Sequence, residues 1–267
     1  MKVCIVVDME GISGVVLDAQ TDASYAIYQE ARRQFTADAN AAVEGAIAGG
    51  ADQVVVVDGH GAGPTTTNLI YSELDPRGEY VMGQTWRHSR EWLDDGYDAA
   101  MLVGFHAMAG TERGVVDHTM TLKWINFLLN GERMGETGIC AALFGERGVP
   151  VVMVAGDEPA CLEARTLLGD QVVLAPVKVP LARQCARCLS PAQAHELVSL
   201  SAKQAVARIR EARPYSVARP TTIAIEMHTT ESARPYLGQT GIKVVDGRTV
   251  VSRGEHFLQA WEQIWGR

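Results

Sequence analysis

Lys2-Val3-Cys4-Ile5-Val6-Val7-Asp8-Met9-Glu10-Gly11-Ile12-Ser13-Gly14 reads as a short strand that runs straight into two acids and a glycine-rich bend. Its apolar run is β-branched and unbroken rather than alternating, the pattern of a strand buried on both faces of a parallel sheet. Similar runs return at Gln53–Val57, Ala99–Val103 and Val149–Val154. A helix is expected near Asp22–Ala48, where Tyr28, Ala31, Phe35, Ala39, Ala42, Val43 and Ala46 recur at spacings of three and four and Gly49-Gly50 closes the run. Strands alternating with helices predict an α/β fold with a mostly parallel, Rossmann-like sheet and helices on both faces.

Working outward, Thr65–Asn68 reads as polar loop, Glu79–Met82 as a short strand and Arg90–Asp94 as a helical turn. Val115–Met120 and Trp124–Leu129 are expected to pair as strands near the Asn130-Gly131 turn signal, followed by a helix over Glu136–Glu146. Beyond it Val172–Val179 is strand-like. Ser190-Pro191 caps a helix expected to reach Ala212, and Pro214–Pro220 looks like a linker. Thr222–Met227, Val244–Val251 around Asp246-Gly247, and a final helix over Glu255–Trp265 complete the reading. The chain is divided into a metal-binding α/β domain over 1–170 and a smaller α/β portion over 171–267, expected to serve oligomerisation and substrate shaping.

The bulk numbers exclude several classes. At 267 residues, 47% hydrophobic and 21% charged, the chain has the composition of a folded globular protein. A net charge of −8 gives no general attraction to nucleic acid or anionic membrane. No apolar stretch nears the roughly 18 residues of a membrane span, and the five-residue run at the N-terminus is too short for a signal peptide. Five scattered cysteines fit a reducing compartment, so a cytoplasmic location is expected.

Ligands of parallel sheets bind beyond the carboxyl ends of the strands. Asp8 and Glu10 follow the first strand, His60 the second and His106 the third core strand, all at the same sheet edge. One acid after a strand is commonly a helix cap or half of an ion pair. Three strand ends delivering metal-type side chains together make that reading insufficient. Two residues apart on extended backbone, Asp8 and Glu10 share a face with Cα atoms roughly 6–7 Å apart. Such neighbours repel unless a cation or a proton intervenes. Imidazole nitrogens beside carboxylate oxygens favour zinc over magnesium or calcium.

Other candidates are weaker. Asp58 is read as a loop-fixing residue or the acceptor that orients a ligand histidine, in preference to a ligand. His118 is either a buried, hydrogen-bonded histidine or an acid/base or nucleophile beside the metals. His195-Glu196 lacks the second histidine of a zincin helix, because Ser199 stands there. Cys185 and Cys188 form a lone C-x-x-C, and His88, His228 and His256 default to structural or surface roles. Lys178 and Arg183 are read as surface charge.

Together the segments Val7–Gly14, Asp58-Gly59-His60, Gly104-Phe105-His106-Ala107, His118-Thr119-Met120, Gly135-Glu136-Thr137-Gly138, Val152–Asp157 and Cys188–Pro191 resemble the DppA-type zinc-dependent D-aminopeptidase family. They run in the family's order over about 190 residues, and the opening octet is specific. The resemblance implies that Asp8, Glu10, His60, His106 and Glu136 bind two zinc ions, with Asp8 the bridge and His118 the catalytic histidine. It also implies a homodecamer with active sites facing an internal channel, acting on short peptides with N-terminal D-residues. Val57 and Gly59 depart from the family's Asn and Ser, and the chain from about Arg213 matches poorly. The alternatives are a metal-dependent amidase or esterase acting on a non-peptide substrate, and a catalytically idle assembly protein stabilised by metal.

Overall fold

The computed structural model, which describes residues 1–63 and 66–265, contains two separate sheets. In chain order the elements are β1 (Lys2–Val7), α1 (Tyr28–Ala48), β2 (Gln53–Asp58), β3 (Glu79–Val81), α2 (Ser89–Leu93), β4 (Ala99–Phe105), β5 (Trp124–Leu129), β6 (Glu132–Arg133), α3 (Glu136–Gly145) and β7 (Val151–Asp157). There follow α4 (Glu158–Leu168), β8 (Val173–Ala182), β9 (Cys185–Cys188), α5 (Pro191–Ala207), β10 (Thr221–Met227), α6 (Thr230–Ala233), β11 (Ile242–Val244), β12 (Thr249–Gly254) and α7 (Phe257–Trp265).

The large sheet runs β3-β2-β1-β4-β7-β8-β9, parallel except for the last strand. Its central strand explains the unbroken apolar run. Val3, Ile5 and Val7 face α1 and α5, while Cys4 and Val6 face a second core shared with α3, α4 and the small sheet. The expected mixed α/β class with a largely parallel sheet is present. Strand order reverses direction between β1 and β4, because the chain winds outward through β2 and β3 and returns to the other side of β1. Crevices open at such a switch point, beyond the strands' carboxyl ends.

The small sheet, β11-β12-β10-β5-β6, is antiparallel, and α7 packs Phe257, Trp261 and Ile264 into the core beneath it. Sheet membership does not follow chain order: β5 and β6 reach the small sheet from between β4 and α3, and β8 and β9 return to the large one.

Several expectations change. The first helix begins at Tyr28 rather than Asp22, because Asp22 Oδ1 accepts from the Ser24 backbone N–H and hydroxyl and holds a turn there. Val115–Met120 is not a strand. Its groups are committed to loop contacts, including Ala109 N–H to Thr119 Oγ1 and Gly110 N–H to Asp117 Oδ2. Across Asn130-Gly131, both at positive φ, β5 pairs instead with β6. The helix from Pro191 stops at Ala207, and a short 3-10 turn follows. Helix α4 and strand β9 were not expected. In α4 the buried residues are mostly small (Ala160, Cys161, Ala164), so its periodicity is faint. Thr65 of the expected loop and the side chain of His88 lie outside the described residues.

Candidate metal centre

Asp8 and Glu10 leave β1, His60 follows β2 and His106 follows β4, so three adjacent strand ends meet at the switch point. Glu136 is the first residue of α3, where the helix dipole favours a carboxylate. His118 comes from the irregular loop between β4 and β5. The structure brings all six together in two groups: Asp8, Glu10 and His60, and His106, His118 and Glu136.

Asp8 joins the groups, one carboxylate oxygen to each. Its Oδ1 lies 3.2 Å from His60 Nδ1, and its Oδ2 lies 3.4 Å from His106 Nε2. Glu10 Oε2 is 3.1 Å from the same His60 nitrogen. Glu136 Oε1 is 3.3 Å from His106 Nε2 and 3.6 Å from His118 Nε2. The rings of His106 and His118 stack at 4.2 Å with 11° between planes.

Each imidazole is oriented from behind by a backbone carbonyl, which only accepts. His60 Nε2–H donates to Thr21 O at 2.7 Å, His106 Nδ1–H to Ala107 O at 2.9 Å and His118 Nδ1–H to Val116 O at 3.2 Å. The inward nitrogens are therefore Nδ1 of His60 and Nε2 of the other two. Such outer hydrogen bonds fix the tautomer that a metal-binding histidine needs.

The donor set fits cations. Asp8 Oδ2, Glu10 Oε2 and His106 Nε2 are buried and have no hydrogen-bond partner among the described residues. Polar atoms left that way cost free energy, which a shared cation would remove. Without one, the residues neutralise each other. Burial would lower His60 and His106, but the nearby carboxylates of Glu10, Glu136 and Asp8 hold both well above the ordinary imidazole value. Burial would raise Asp8, yet the imidazoles of His106 and His60 facing its two oxygens keep it well below the usual carboxylate range.

Close backbone approach makes the cluster possible. Gly11 N–H donates to Gly104 O at 2.7 Å, and Gly104 takes φ +73°. A Cβ on Gly104 would lie 1.9 Å from the Asp8 carbonyl oxygen, and one on Gly11 1.9 Å from that of Phe105. Lys178 is buried, not surface charge: its ammonium donates to the carbonyls of Glu10, Ile12 and Val15, bracing the bend behind the two acids. Burial pushes it down to about 8. Arg183 does lie at the surface, paired with Asp117 and Asp18.

The remaining candidates separate cleanly. Asp58 accepts from the Asn68 backbone and side chain at 2.7 and 2.6 Å, so it ties the loop after His60 and is not the histidine's partner. His195 sits 3.3 Å from Asp38, and His256 lies 3.6 Å from Glu146, both away from the cluster. Two acids had been given no role from the sequence. Asp157 caps α4 through Ala160 N–H and also accepts from Ala107 N–H at 3.3 Å. Glu163, pushed up to about 7 by burial, accepts from Met108 N–H at 2.9 Å. Both tether the residues next to His106, and only Asp157, before a helix with Pro159, carried a local signal.

Beside His118, Thr121 N–H donates to Thr119 O at 2.7 Å across Met120, whose φ is +60°. That is the strained form of the γ-turn, and it aims Met120 N–H at Glu136 Oε1, 2.7 Å away. A cavity of about 560 Å³ opens over the cluster. A larger groove, about 890 Å³, lies between α3, α4 and Tyr215–Ala218 but contains none of the six residues.

The comparisons agree with this geometry. A family model described as D-aminopeptidase, peptidase family M55, matches residues 1–265. The D-aminopeptidase of Bacillus subtilis strain 168 is 32% identical over 266 residues, covering 99% of this chain and 95% of its own. The solved structure of the Zn-dependent D-aminopeptidase DppA from Bacillus subtilis, described as a self-compartmentalizing protease, superposes with a TM-score of 0.92 at 32% identity, over 99% and 95% of the two chains. With strand order, cluster and full-length similarity in accord, the chain belongs to the M55 D-aminopeptidase family.

Proposed function

We propose that this chain is a dinuclear zinc aminopeptidase that releases N-terminal D-amino acids from short peptides. The observation that carries it is Asp8 presenting one oxygen to each of two three-residue groups, with the orphaned buried atoms between them. Asp8, Glu10 and His60 would hold one ion, and Asp8, His106 and Glu136 the other. When bound, zinc supplies Lewis acidity that polarises the scissile carbonyl and acidifies a water.

His118 does the proton work. Its Nδ1–H is spent on Val116 O, so Nε2 faces Glu136 with a free lone pair. That atom takes up a proton and returns it to the leaving amine; direct attack by the same nitrogen is the second route. Glu136, through Met120 N–H and His106, keeps the acceptor side of the site fixed. A cavity of this size beside three carboxylates suits a short chain with a free cationic amine.

The test is His118→Ala. With its zinc content intact, turnover of a D-alanyl peptide should fall by about a hundredfold or more. Equal turnover removes His118 from the chemistry. Elemental analysis should find two zinc ions per chain, and Asp8→Ala should lose at least one; retention of both rejects the bridge.

A further inference from the structure

The cavity over the cluster is lined by two unlike kinds of side chain. Its lining includes the polar Asp8, Glu10, His60 and Glu136 and, beside them, the apolar Trp86, Met120, Leu122 and Trp265. The two indoles are fixed by contacts of their own. Trp86 Nε1–H donates to Gly59 O at 2.6 Å, immediately before His60, and its ring stands edge-on to the buried Trp92 at 6.0 Å. Trp265 stacks on Trp261 at 5.5 Å and meets Trp124 edge-on at 5.8 Å. Met120 is placed by its γ-turn, two residues from His118. Leu122 projects from the same loop with 67% of its surface exposed.

Trp86, Met120 and Trp265 are half-buried against the core and Leu122 is exposed, and apolar side chains left partly open around a polar centre mark a contact surface for an apolar ligand group. Indoles fixed by hydrogen bonds and ring packing lose little further freedom when such a group docks. A peptide whose amine and first carbonyl lie at the acids and imidazoles carries its first side chain next to them, within reach of the neighbouring apolar lining.

Resting on the aminopeptidase reading above, we propose that Trp86, Met120, Leu122 and Trp265 form a specificity pocket that selects substrates whose N-terminal D-residue is large and apolar. The pocket acts on the residue released, not on the one that follows it. A small residue such as D-alanine leaves the indoles uncovered and forgoes their contact.

The experiment compares kcat/KM for D-Leu-Gly-Gly and D-Phe-Gly-Gly with that for D-Ala-Gly-Gly, using the zinc-loaded full-length protein. Wild type should favour the larger residues by about tenfold or more. Trp86→Ala should reduce that ratio by about tenfold, and Leu122→Asp should reduce it in the same direction. Leu122 is exposed, so its variant keeps the test valid if Trp86→Ala does not fold. A second series, D-Ala followed by Gly, Leu or Phe, should be nearly flat. A wild-type preference for D-Ala, an apolar preference confined to the second residue, or ratios unchanged in the folded variants each overturn the pocket while the aminopeptidase reading stands. Absence of hydrolysis of every D-peptide overturns both.

Discussion

Protons and zinc compete for the same atoms at His60 and His106. Both imidazoles are held well above their ordinary value of 6.5 by Glu10, Glu136 and Asp8, so the ion-free cluster holds its protons to higher pH than free imidazoles do. Zinc must displace them to reach Nδ1 of one ring and Nε2 of the other. Affinity should therefore weaken as pH falls, by up to about a hundredfold per pH unit where two protons leave together. The stability of the ion-free protein runs the other way. Groups raised on folding contribute fully below 6.5, and that contribution is lost as pH rises through their folded values. The gap in melting temperature between zinc-loaded and chelated protein should thus widen from pH 6 to pH 9; a gap that narrows would contradict the account. At this scale the sequence was informative about residue types and poor about their attachments. Asp8, Glu10, His60 and His106 were legible because each follows a recognisable strand. Lys178 was not, since nothing local distinguishes a lysine that donates to three carbonyls of a distant bend from one in solvent.

Elements decide how close those residues come. The ends of β1 and β4 touch through Gly11 and Gly104, with no space for a Cβ at either. Gly104→Ala combines a left-handed φ with a 1.9 Å clash against the Asp8 carbonyl. It should cost about 3 kcal/mol or more in urea denaturation and lower zinc content, because relief of the clash moves Asp8. A variant as stable as wild type with both ions bound would show that the contact is not needed. The buried parallel strands were readable because burial on both faces leaves an unbroken β-branched run. The segment over Val115–Met120 misled for a related reason. Its apolar residues are buried by loop packing, and Met120 adopts a backbone form that no periodicity reports. Helix α4 was missed because small residues, rather than large ones, face its core.

Taken whole, the molecule places its cluster where strand order reverses and then borrows from the excursion through the small sheet, which delivers His118 and leads into Glu136. The resemblance to a self-compartmentalizing relative raises assembly as the matching question. Exposed Tyr71, Leu162, Leu181, Leu200 and Leu237 are apolar area of the kind subunit contacts cover. We expect light scattering at micromolar concentration to give a mass that is a multiple of the 28.9 kDa chain; a monomer rejects assembly. No helix among the described residues is long and apolar enough to cross a membrane.

The polar and apolar residues lining the cavity differ in what they stand on. The acids and imidazoles are tied to strand ends, a helix start and a braced loop, where a shift of one residue would scatter them. Trp86, Leu122 and Trp265 sit on a 3-10 turn, a loop and the last helix, outside the large sheet. Chemistry and taste are therefore inherited separately in this architecture. A lineage can exchange the residues that choose a peptide, one at a time, while the atoms that cut it stay where they are.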